Sequence, residues 1–283
     1  MANKFPRTEV EGVSLSRMII GTNWILGYSH TSPAADKLIR CRNSNTDNTV
    51  EMLKVFLEHG VDTMMGPFVG NPTLCGAVKK AEEQTGKKII IVDTPILNMD
   101  DTAAARREAE SDIAQSQALG ATFCLIHHSS AEQLVNKNKK TMDRLPDYLK
   151  MIRDHDMIPG LSAHMPELII YSDANGYDVQ TYIQIYNCMG FLMQVEIEYI
   201  NKVIWSAKKS VMTIKPMAAG RVSPFVGLNF TWHTIRPCDM VTVGCLTPEE
   251  AAEDIEISMA ALEGRAPELE GRSSPNKTEI MKD

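Results

Sequence analysis

Short apolar, β-branched segments alternate with longer amphipathic segments along most of the chain. Such apolar runs are typical of buried parallel strands, and the segments between them have the spacing of helices that cover a sheet. The pattern predicts eight strands, at Met18–Gly21, Val61–Met65, Lys88–Asp93, Thr122–His127, Met157–Ser162, Thr181–Tyr186, Val211–Lys215 and Met240–Gly244.

Residues with cap and stop preferences bound the amphipathic segments. Thr46 is placed to begin one helix, and Gly60 to end it, because a left-handed glycine commonly closes a helix. Similar boundaries, several with proline in the first turn, predict further helices at Asn71–Gly86, Asp100–Gly120 and Thr247–Gly264.

Eight strand–helix units in about 250 residues predict a (β/α)₈ barrel, or TIM barrel. A doubly wound open sheet is the alternative, although it gives no reason for eight units. We expect a single barrel domain over residues 1–264, with residues 1–16 forming a hairpin that caps the barrel floor. Residues 265–283 are polar and contain proline, so a C-terminal tail is expected there.

The composition and charge of the chain argue against some classes of binding partner. The chain has 29 Lys and Arg against 36 Asp and Glu, and no basic stripe, which argues against nucleic-acid binding. No apolar run approaches the length of about 20 residues that a membrane helix needs, and the N-terminus lacks an apolar leader. We therefore expect a cytoplasmic protein that acts on a small molecule, with its oligomeric state left open.

The six cysteines are spread along the chain without a C-x-x-C pair. Thiolate-bound zinc and iron–sulfur clusters need clustered cysteines, so we interpret these residues as reduced and structural.

In a barrel of this kind the functional site lies where the strands end and the following loops begin. This rule selects two imidazoles, a carboxylate, an ammonium group and several neutral polar groups. That is more ionisable chemistry than a structural barrel end requires. The selected positions are Thr22 and Asn23, Met65 and Gly66, Asp93 and Thr94, His127 and His128, Ser162 and His164, Tyr186 and Asn187, Lys215, and Gly244.

Several stretches, in order along the chain, resemble the aldo-keto reductase superfamily. They cover the hairpin with the first strand, the entry to the second strand, the fourth and fifth strands, and the last strand with its helix. These stretches are Gly12–Thr22, Gly60–Asp62, Leu125–His127, Gly160–His164 and Val241–Asp254. The resemblance implies a barrel with an N-terminal hairpin. It also implies a reductase in which Asp, Tyr, Lys and His protonate a carbonyl while NADPH delivers hydride.

The catalytic residues of that family are mostly missing. Aligning Gly60 with the family's motif places Met65 at the catalytic Asp and Gly70 at the Tyr. Asp62 lies about 10 Å back toward the barrel floor, at 3.3 Å per strand residue. The Lys position falls on Asp93, and only His127 remains. The chain therefore resembles a divergent member that lacks most of the catalytic tetrad.

The family's cofactor contacts are altered as well. The Ser-Asn pair of the fifth strand is Ser162-Ala163 here, and the sixth-strand Gln is shifted by one position to Gln184. One residue turns a strand side chain to the other face. Glu250 and Asp254 occupy positions where relatives place cations against the 2′-phosphate, so NAD(P)H is not expected.

The remaining residues suggest metal chemistry instead. Asp93, His127 and His164 are expected at the ends of three adjacent strands, and two imidazoles with a carboxylate suit Zn²⁺, Mn²⁺ or Fe²⁺. Lys215 is expected to act as a base, or as a fixed positive charge beside an enolate-like intermediate. We assign Asp93, His127, His164 and Lys215 as the candidate catalytic residues.

Substrate contacts are expected around this centre. Arg221 is a candidate for holding a phosphate or carboxylate group, and Trp24–Asn45 is long enough for a lid that carries Tyr28 and His30. Strand alternation predicts that His128 points away from His127. The full set of candidate substrate-binding residues is Asn23, Tyr28, His30, Ser162, Tyr186, Asn187 and Arg221.

These residues favour a non-redox enzyme of the lyase, dehydratase or isomerase type. It would move protons on a small polyhydroxylated or acidic, sugar-like substrate, with a divalent metal as the candidate cofactor and a place in carbohydrate metabolism. Two alternatives stay open. One is a divergent NAD(P)H-dependent oxidoreductase, and the other is a non-catalytic binding or regulatory barrel in which His127 and His164 are structural.

Overall fold

A computed structural model describes residues 4–269. Its strands in chain order are β1 (Arg7–Val10), β2 (Val13–Ser16), β3 (Met18–Gly21), β4 (Thr63–Gly66), β5 (Ile90–Asp93), β6 (Phe123–Ile126), β7 (Val135–Asn136), β8 (Thr141–Met142), β9 (Ile158–Ala163), β10 (Thr181–Ile185), β11 (Ser210–Ile214) and β12 (Met240–Val243). Eight of them, β3 to β6 and β9 to β12, form a closed parallel barrel in which β12 pairs with β3. The predicted (β/α)₈ fold is confirmed, and each predicted strand overlaps one barrel strand.

Helices follow the barrel strands and cover the outside of the barrel. They are α1 (Asn23–Leu26), α2 (Pro33–Arg42), α3 (Asp47–Glu58), α4 (Pro72–Thr85), α5 (Ala103–Ala118), α6 (His128–Ala131), α7 (Leu145–Asp154), α8 (Glu167–Asn175), α9 (Ile197–Ser206), α10 (Pro224–Thr234) and α11 (Pro248–Glu263). Helix α5 begins later than predicted because the Thr102 hydroxyl accepts a hydrogen bond from the Ala105 amide and caps the helix there.

The antiparallel pair β1–β2 closes the floor of the barrel, as predicted. Val10 and Leu15 are buried and pack with the apolar side chains that fill the barrel interior. A second hairpin, β7–β8, lies between α6 and α7. Its two-residue strands are too short to produce an alternating pattern in the sequence.

Alternate residues of each barrel strand face the interior or the helices. Met65 and Val92 belong to the interior cluster, with side chains from the other strands. Their neighbours in sequence, such as Met64, pack against the helices in the larger outer core. This alternation decides which residues near the strand ends can reach the barrel mouth.

Strands β3 and β4 approach closely at their carboxyl ends. A Cβ on Gly66 would lie 1.8 Å from the Thr22 hydroxyl oxygen, so a side chain does not fit at this position. Thr22 directly precedes α1, and the close contact therefore fixes where the chain leaves the barrel above β3.

Helix α11 is the last helix within the described residues. Arg265 follows it and pairs with Glu256 and Glu263 on the same helix. The predicted boundaries at residues 1–264 and 265–283 extend into residues 1–3 and 270–283, which lie outside the described residues. In residues 4–269, no helix has both the length and the apolar character for a membrane span.

Candidate active site

Lys215 follows β11 at the barrel mouth, where its backbone adopts a φ of 61°. Its Nζ lies 3.2 Å from Nε2 of His30, and Nδ2 of Asn23 lies 3.2 Å from the same nitrogen. An unprotonated Nε2 accepts both hydrogen bonds, which makes His30 neutral with its proton on Nδ1. Three of the predicted site residues are therefore in contact.

The ammonium group of Lys215 has no acidic partner within residues 4–269 at salt-bridge distance. Burial lowers the pKa of Lys215 to about 8. The side chain therefore titrates close to neutral pH and is available either as a cation or as a base.

The segment between β3 and α3 lies over the ends of β11 and β12. Thr31 donates a hydrogen bond from its hydroxyl to the carbonyl of Ala219, and the Arg221 guanidinium donates to the carbonyl of His30. Trp24 packs against Gly244, since a Cβ on that glycine would lie 3.2 Å from the indole ring. These contacts attach the segment, which the sequence predicts as a lid, to the loop that carries Lys215, and we call it the lid segment, or lid.

Three further imidazoles are grouped beside β6 and β9. The ring centroids of His127 and His128 are 4.2 Å apart, and those of His128 and His164 are 3.6 Å apart with planes at 21°. The predicted orientation of His128 was wrong, because β6 ends at Ile126 and His127 is the N-cap of α6. Strand alternation no longer applies at His128, so consecutive histidines lie side by side.

The pKa values of these imidazoles are lowered. Burial is the largest cause, followed by the other imidazoles and Lys215, and together they lower the pKa of His127 to about 4 and that of His164 to about 3. Burial also lowers the pKa of His128. All three rings are therefore neutral near pH 7, with nitrogen lone pairs available to accept a proton or bind a metal.

Glu132 joins this group, and the sequence reasoning missed it. Its Oε1 accepts hydrogen bonds from the backbone amides of His164 and Met165, at 2.8 and 3.1 Å. One ligand atom each from His128, Glu132 and His164 lies within 4.8 Å of the others. The available signal was the spacing of four residues between His128 and Glu132, which places both on one face of a helical turn.

Asp93 does not reach this group, which corrects its assignment as a catalytic residue and metal ligand. Val92 faces the interior, so Asp93 faces the helices. Its carboxylate accepts hydrogen bonds from the Phe68 amide and from the Ser116 hydroxyl, at 2.7 and 2.5 Å, and the residue is fully buried. Burial raises the pKa of Asp93, with these hydrogen bonds opposing the rise.

Tyr186 points away from the mouth and Asn187 is engaged by its own loop, contrary to the prediction that they bind substrate. The Tyr186 hydroxyl donates to the hydroxyl of Thr234 at 3.0 Å and accepts from the Asn201 amide at 2.9 Å. Asn187 is fully buried and holds the following loop through hydrogen bonds with the backbone of Phe191. Ile183 is an interior residue, so the alternation places Tyr186 on the outer face.

The other predicted substrate contacts stay near the mouth. Ser162 is nearly buried and pairs in register with the interior residue Ile183. Tyr28 is exposed on the lid, and Arg221 stacks over the ring of Phe191 with its guanidinium carbon 4.1 Å from the ring centroid.

The positions that would serve a reduced nicotinamide cofactor are occupied differently. Met65 belongs to the interior cluster, so a thioether lies on the barrel axis side of β4. At the start of α11, the Leu246 amide donates to a carboxylate oxygen of Glu250 at 2.6 Å, and the Glu250 amide donates to the Thr247 hydroxyl. The helix end is capped by its own carboxylate, which would repel a phosphate, so these residues do not fit the 2′-phosphate of NADPH.

The fold is similar to that of several solved aldo-keto reductases. A Pseudomonas aeruginosa protein assigned to that family is 14% identical with a TM-score of 0.64, over 92% of this chain and 98% of its own. An aldo-keto reductase from Klebsiella pneumoniae, solved with NADPH, is 14% identical with a TM-score of 0.57, over 99% and 94%. Aldose reductase from Giardia lamblia is 9% identical with a TM-score of 0.52, over 92% and 91%.

No protein-family model matches the sequence, and no curated protein matches it significantly. At such low identities the structural similarity establishes the fold and not the reaction. The chain therefore has the aldo-keto-reductase-like (β/α)₈ barrel fold.

Proposed function

We propose that this protein is an enzyme of the lyase, dehydratase or isomerase type, which moves protons on a small acidic, polyhydroxylated, sugar-like substrate. The observation that carries the proposal is the position of Lys215. Its ammonium group lies at the barrel mouth without an acidic partner in residues 4–269, and it influences the pKa of His127, His128 and His164.

The charge distribution supports an anionic substrate. The whole chain carries a net charge of −7, yet the carboxylates Asp36 and Glu132 near the mouth form no ion pair with Lys215. Asp36 accepts hydrogen bonds from the amide and hydroxyl of Ser29, and Glu132 accepts from two backbone amides. Lys215, with Arg221 at the rim, therefore provides local positive charge that attracts a carboxylate or phosphate.

The same groups support proton transfer. Neutral Lys215 accepts a proton from a carbon atom next to a carbonyl or carboxylate, and the electron pair of that C–H bond moves into an enolate-like intermediate. In an isomerisation the proton returns to the neighbouring carbon or oxygen atom, so no external oxidant or reductant is consumed. His127 is a neutral imidazole that can relay this proton.

Solvent exchange tests this proposal without knowledge of the exact substrate. The protein is incubated in D₂O with a panel of sugar acids and sugar phosphates, and loss of C–H signals is followed by ¹H NMR. We expect exchange on at least one compound, reduced about 100-fold or more by Lys215→Met. The control is Lys79→Met, since Lys79 is an exposed helix residue. Exchange that survives Lys215→Met would contradict the assigned role.

The oxidoreductase alternative is favoured by one observation, the similarity to a reductase solved with NADPH. Trp24 packs beside Gly244 at the mouth, so its fluorescence reports on a cofactor placed there. Titration with NADH and NADPH should leave the fluorescence unchanged. Quenching at micromolar cofactor would favour a reductase. The other alternative, a non-catalytic barrel, would be favoured if neither His127→Ala nor His164→Ala affects function.

A further inference from the structure

His128, Glu132 and His164 are brought together by two elements that meet at the barrel mouth. His128 opens α6, Glu132 follows it by four residues in the next helical turn, and His164 follows β9. Their ligand atoms lie within 4.8 Å of one another, and all three residues are partly exposed. An ion bound between them would be reached from the mouth rather than sealed inside the protein.

Glu132 is held in place before any ion arrives. Two backbone amides donate to its Oε1, while Oε2 has no hydrogen bond within residues 4–269. Hydrogen bonds of this kind orient a carboxylate ligand and fix which oxygen is free. The two amides belong to His164 and Met165, so the bonds also fix the end of β9 that carries the second imidazole.

The two imidazoles require a small rearrangement. Their rings are stacked with centroids 3.6 Å apart and planes at 21°, and nitrogen lone pairs lie in the plane of each ring. A shared ion therefore needs the rings to tilt open toward a common point. Rotation about the side-chain bonds of His128 and His164 would bring this about, and two metal–nitrogen bonds would compensate for its cost.

The donor set determines the kind of ion. Two imidazoles and one carboxylate are typical of zinc enzymes and of non-haem iron sites, and they leave at least one coordination position open. The ion and Glu132 together carry a positive charge, and Lys215 adds to it. A substrate that carries a carboxylate and binds the ion through two oxygen atoms would match this positive charge.

We infer that His128, Glu132 and His164 bind a divalent transition-metal ion whose open positions chelate a 2-hydroxy- or 2-oxocarboxylate. The ligand set replaces Asp93 and His127 of the sequence-based hypothesis with Glu132 and His128. The substrate class rests on the proposed function of the mouth, whereas the metal site rests on the ligand geometry alone. The ion would polarise the substrate oxygen next to the carbon that loses its proton.

Metal binding is tested first, with the full chain freed of metal by a chelator. Titration with Co²⁺ and Zn²⁺, followed by absorption and calorimetry, should give one ion per chain. Glu132→Gln and His128→Asn should each weaken metal binding about 100-fold, a loss of the size that changes at metal sites commonly cause. His233→Asn is the matched control, because His233 is an exposed histidine bonded to its own helix.

Glu132→Gln keeps an oxygen that accepts the two backbone amides, so it preserves the fold while it removes the charged ligand. Thermal unfolding of each variant confirms that the chain is folded. Equal affinity in the wild type and both ligand variants, or no bound ion, would overturn the metal site.

The substrate class is tested with the Co²⁺-loaded protein. Glycerate should shift the visible absorption bands, whereas acetate at the same concentration, which lacks the 2-hydroxyl oxygen, should not. Lys215→Met should weaken the response to glycerate about 10-fold and leave the metal stoichiometry unchanged. Bound metal with no response to any 2-hydroxy- or 2-oxocarboxylate would overturn the substrate class. Proton exchange that persists without metal would overturn the part of the ion in the reaction and leave the proposed function standing.

Discussion

The ammonium group of Lys215 lies 3.2 Å from Nε2 of His30, and this contact joins the end of β11 to the lid. Asn23 donates to the same nitrogen from the start of α1. Protonation of Nε2 would replace the shared acceptor with a donor, so both bonds would be lost together. The position of the lid and the charge at the mouth are therefore coupled.

Replacing Lys215 with methionine should stabilise the protein near pH 7. The folded pKa of about 8 is below the ordinary value of 10.5, so the folded state holds a charged lysine at a cost throughout the range below pH 8. We expect a gain in the free energy of unfolding of about 2 kcal/mol, after allowance for partial exposure. Denaturant unfolding measures it.

The sign of this effect can be checked by pH. Between about pH 8 and 10.5 the unfolded state binds more protons than the folded state at this position, so wild-type stability rises with pH from this group. The advantage of Lys215→Met should therefore shrink above pH 8. If the stability gain of Lys215→Met is the same at every pH, or if Lys79→Met gives an equal gain, burial of the Lys215 charge is not its cause.

Acid should destabilise the protein through the imidazoles at the mouth. His127 and His164 have folded pKa values of about 4 and about 3, against 6.5 when unperturbed. Below about pH 6.5 the unfolded state takes up protons that the folded state does not, so the free energy of unfolding decreases as the pH is lowered. Near pH 5 we expect a loss of about 1 to 2 kcal/mol for each imidazole.

Melting temperatures between about pH 7 and pH 5 measure this loss. His164→Asn should reduce the fall, and His233→Asn, at an exposed position on α10, is the control. An unchanged pH dependence in His164→Asn would show that other groups cause the acid sensitivity.

The barrel could be predicted from the sequence because the alternation of strands and helices is a local pattern repeated eight times. The strand ends were harder. Asp93 and Tyr186 were selected by their position at strand ends. Val92 and Ile183 face the barrel interior, so strand alternation already places Asp93 and Tyr186 on the outer side. Strand alternation was applied to Gln184 from the sequence, and the same reasoning applies to Asp93 and Tyr186.

The imidazole group could not be predicted in the same way. The end of β6 at Ile126 and the cap at His127 depend on the loop that follows, and no local pattern fixes them to a single residue. The contact of Glu132 with the amides of His164 and Met165 joins residues more than 30 positions apart in the chain. Such contacts follow from the closed barrel and not from nearby sequence.

Asp93 should contribute to stability and not to metal binding. Its carboxylate connects the Phe68 amide after β4 with the Ser116 hydroxyl of α5. Asp93→Ala leaves both donors buried without an acceptor, and we expect a loss of about 2 to 4 kcal/mol in the free energy of unfolding. Asp93→Asn keeps one acceptor and should lose less. Metal stoichiometry that falls in either folded variant would restore Asp93 as a ligand.

Gly66→Ala should destabilise the protein through Thr22. The new methyl group would lie 1.8 Å from the Thr22 hydroxyl oxygen, and relieving the overlap requires movement of the β3–α1 junction. We expect a cost of about 3 kcal/mol. In a double-mutant cycle, Thr22→Gly should recover part of this loss, and additive effects of the two substitutions would argue against their contact.

The change from strand to helix at His127 also bears on how this scaffold can be engineered. A strand that continued for one more residue would send alternate side chains to opposite sides and would donate a single ligand to the central chamber. Because a helix starts here instead, one short segment places His127, His128 and Glu132 next to one another. Lengthening or shortening this junction should therefore change how many of these side chains reach the chamber, without redesign of the surrounding sheet.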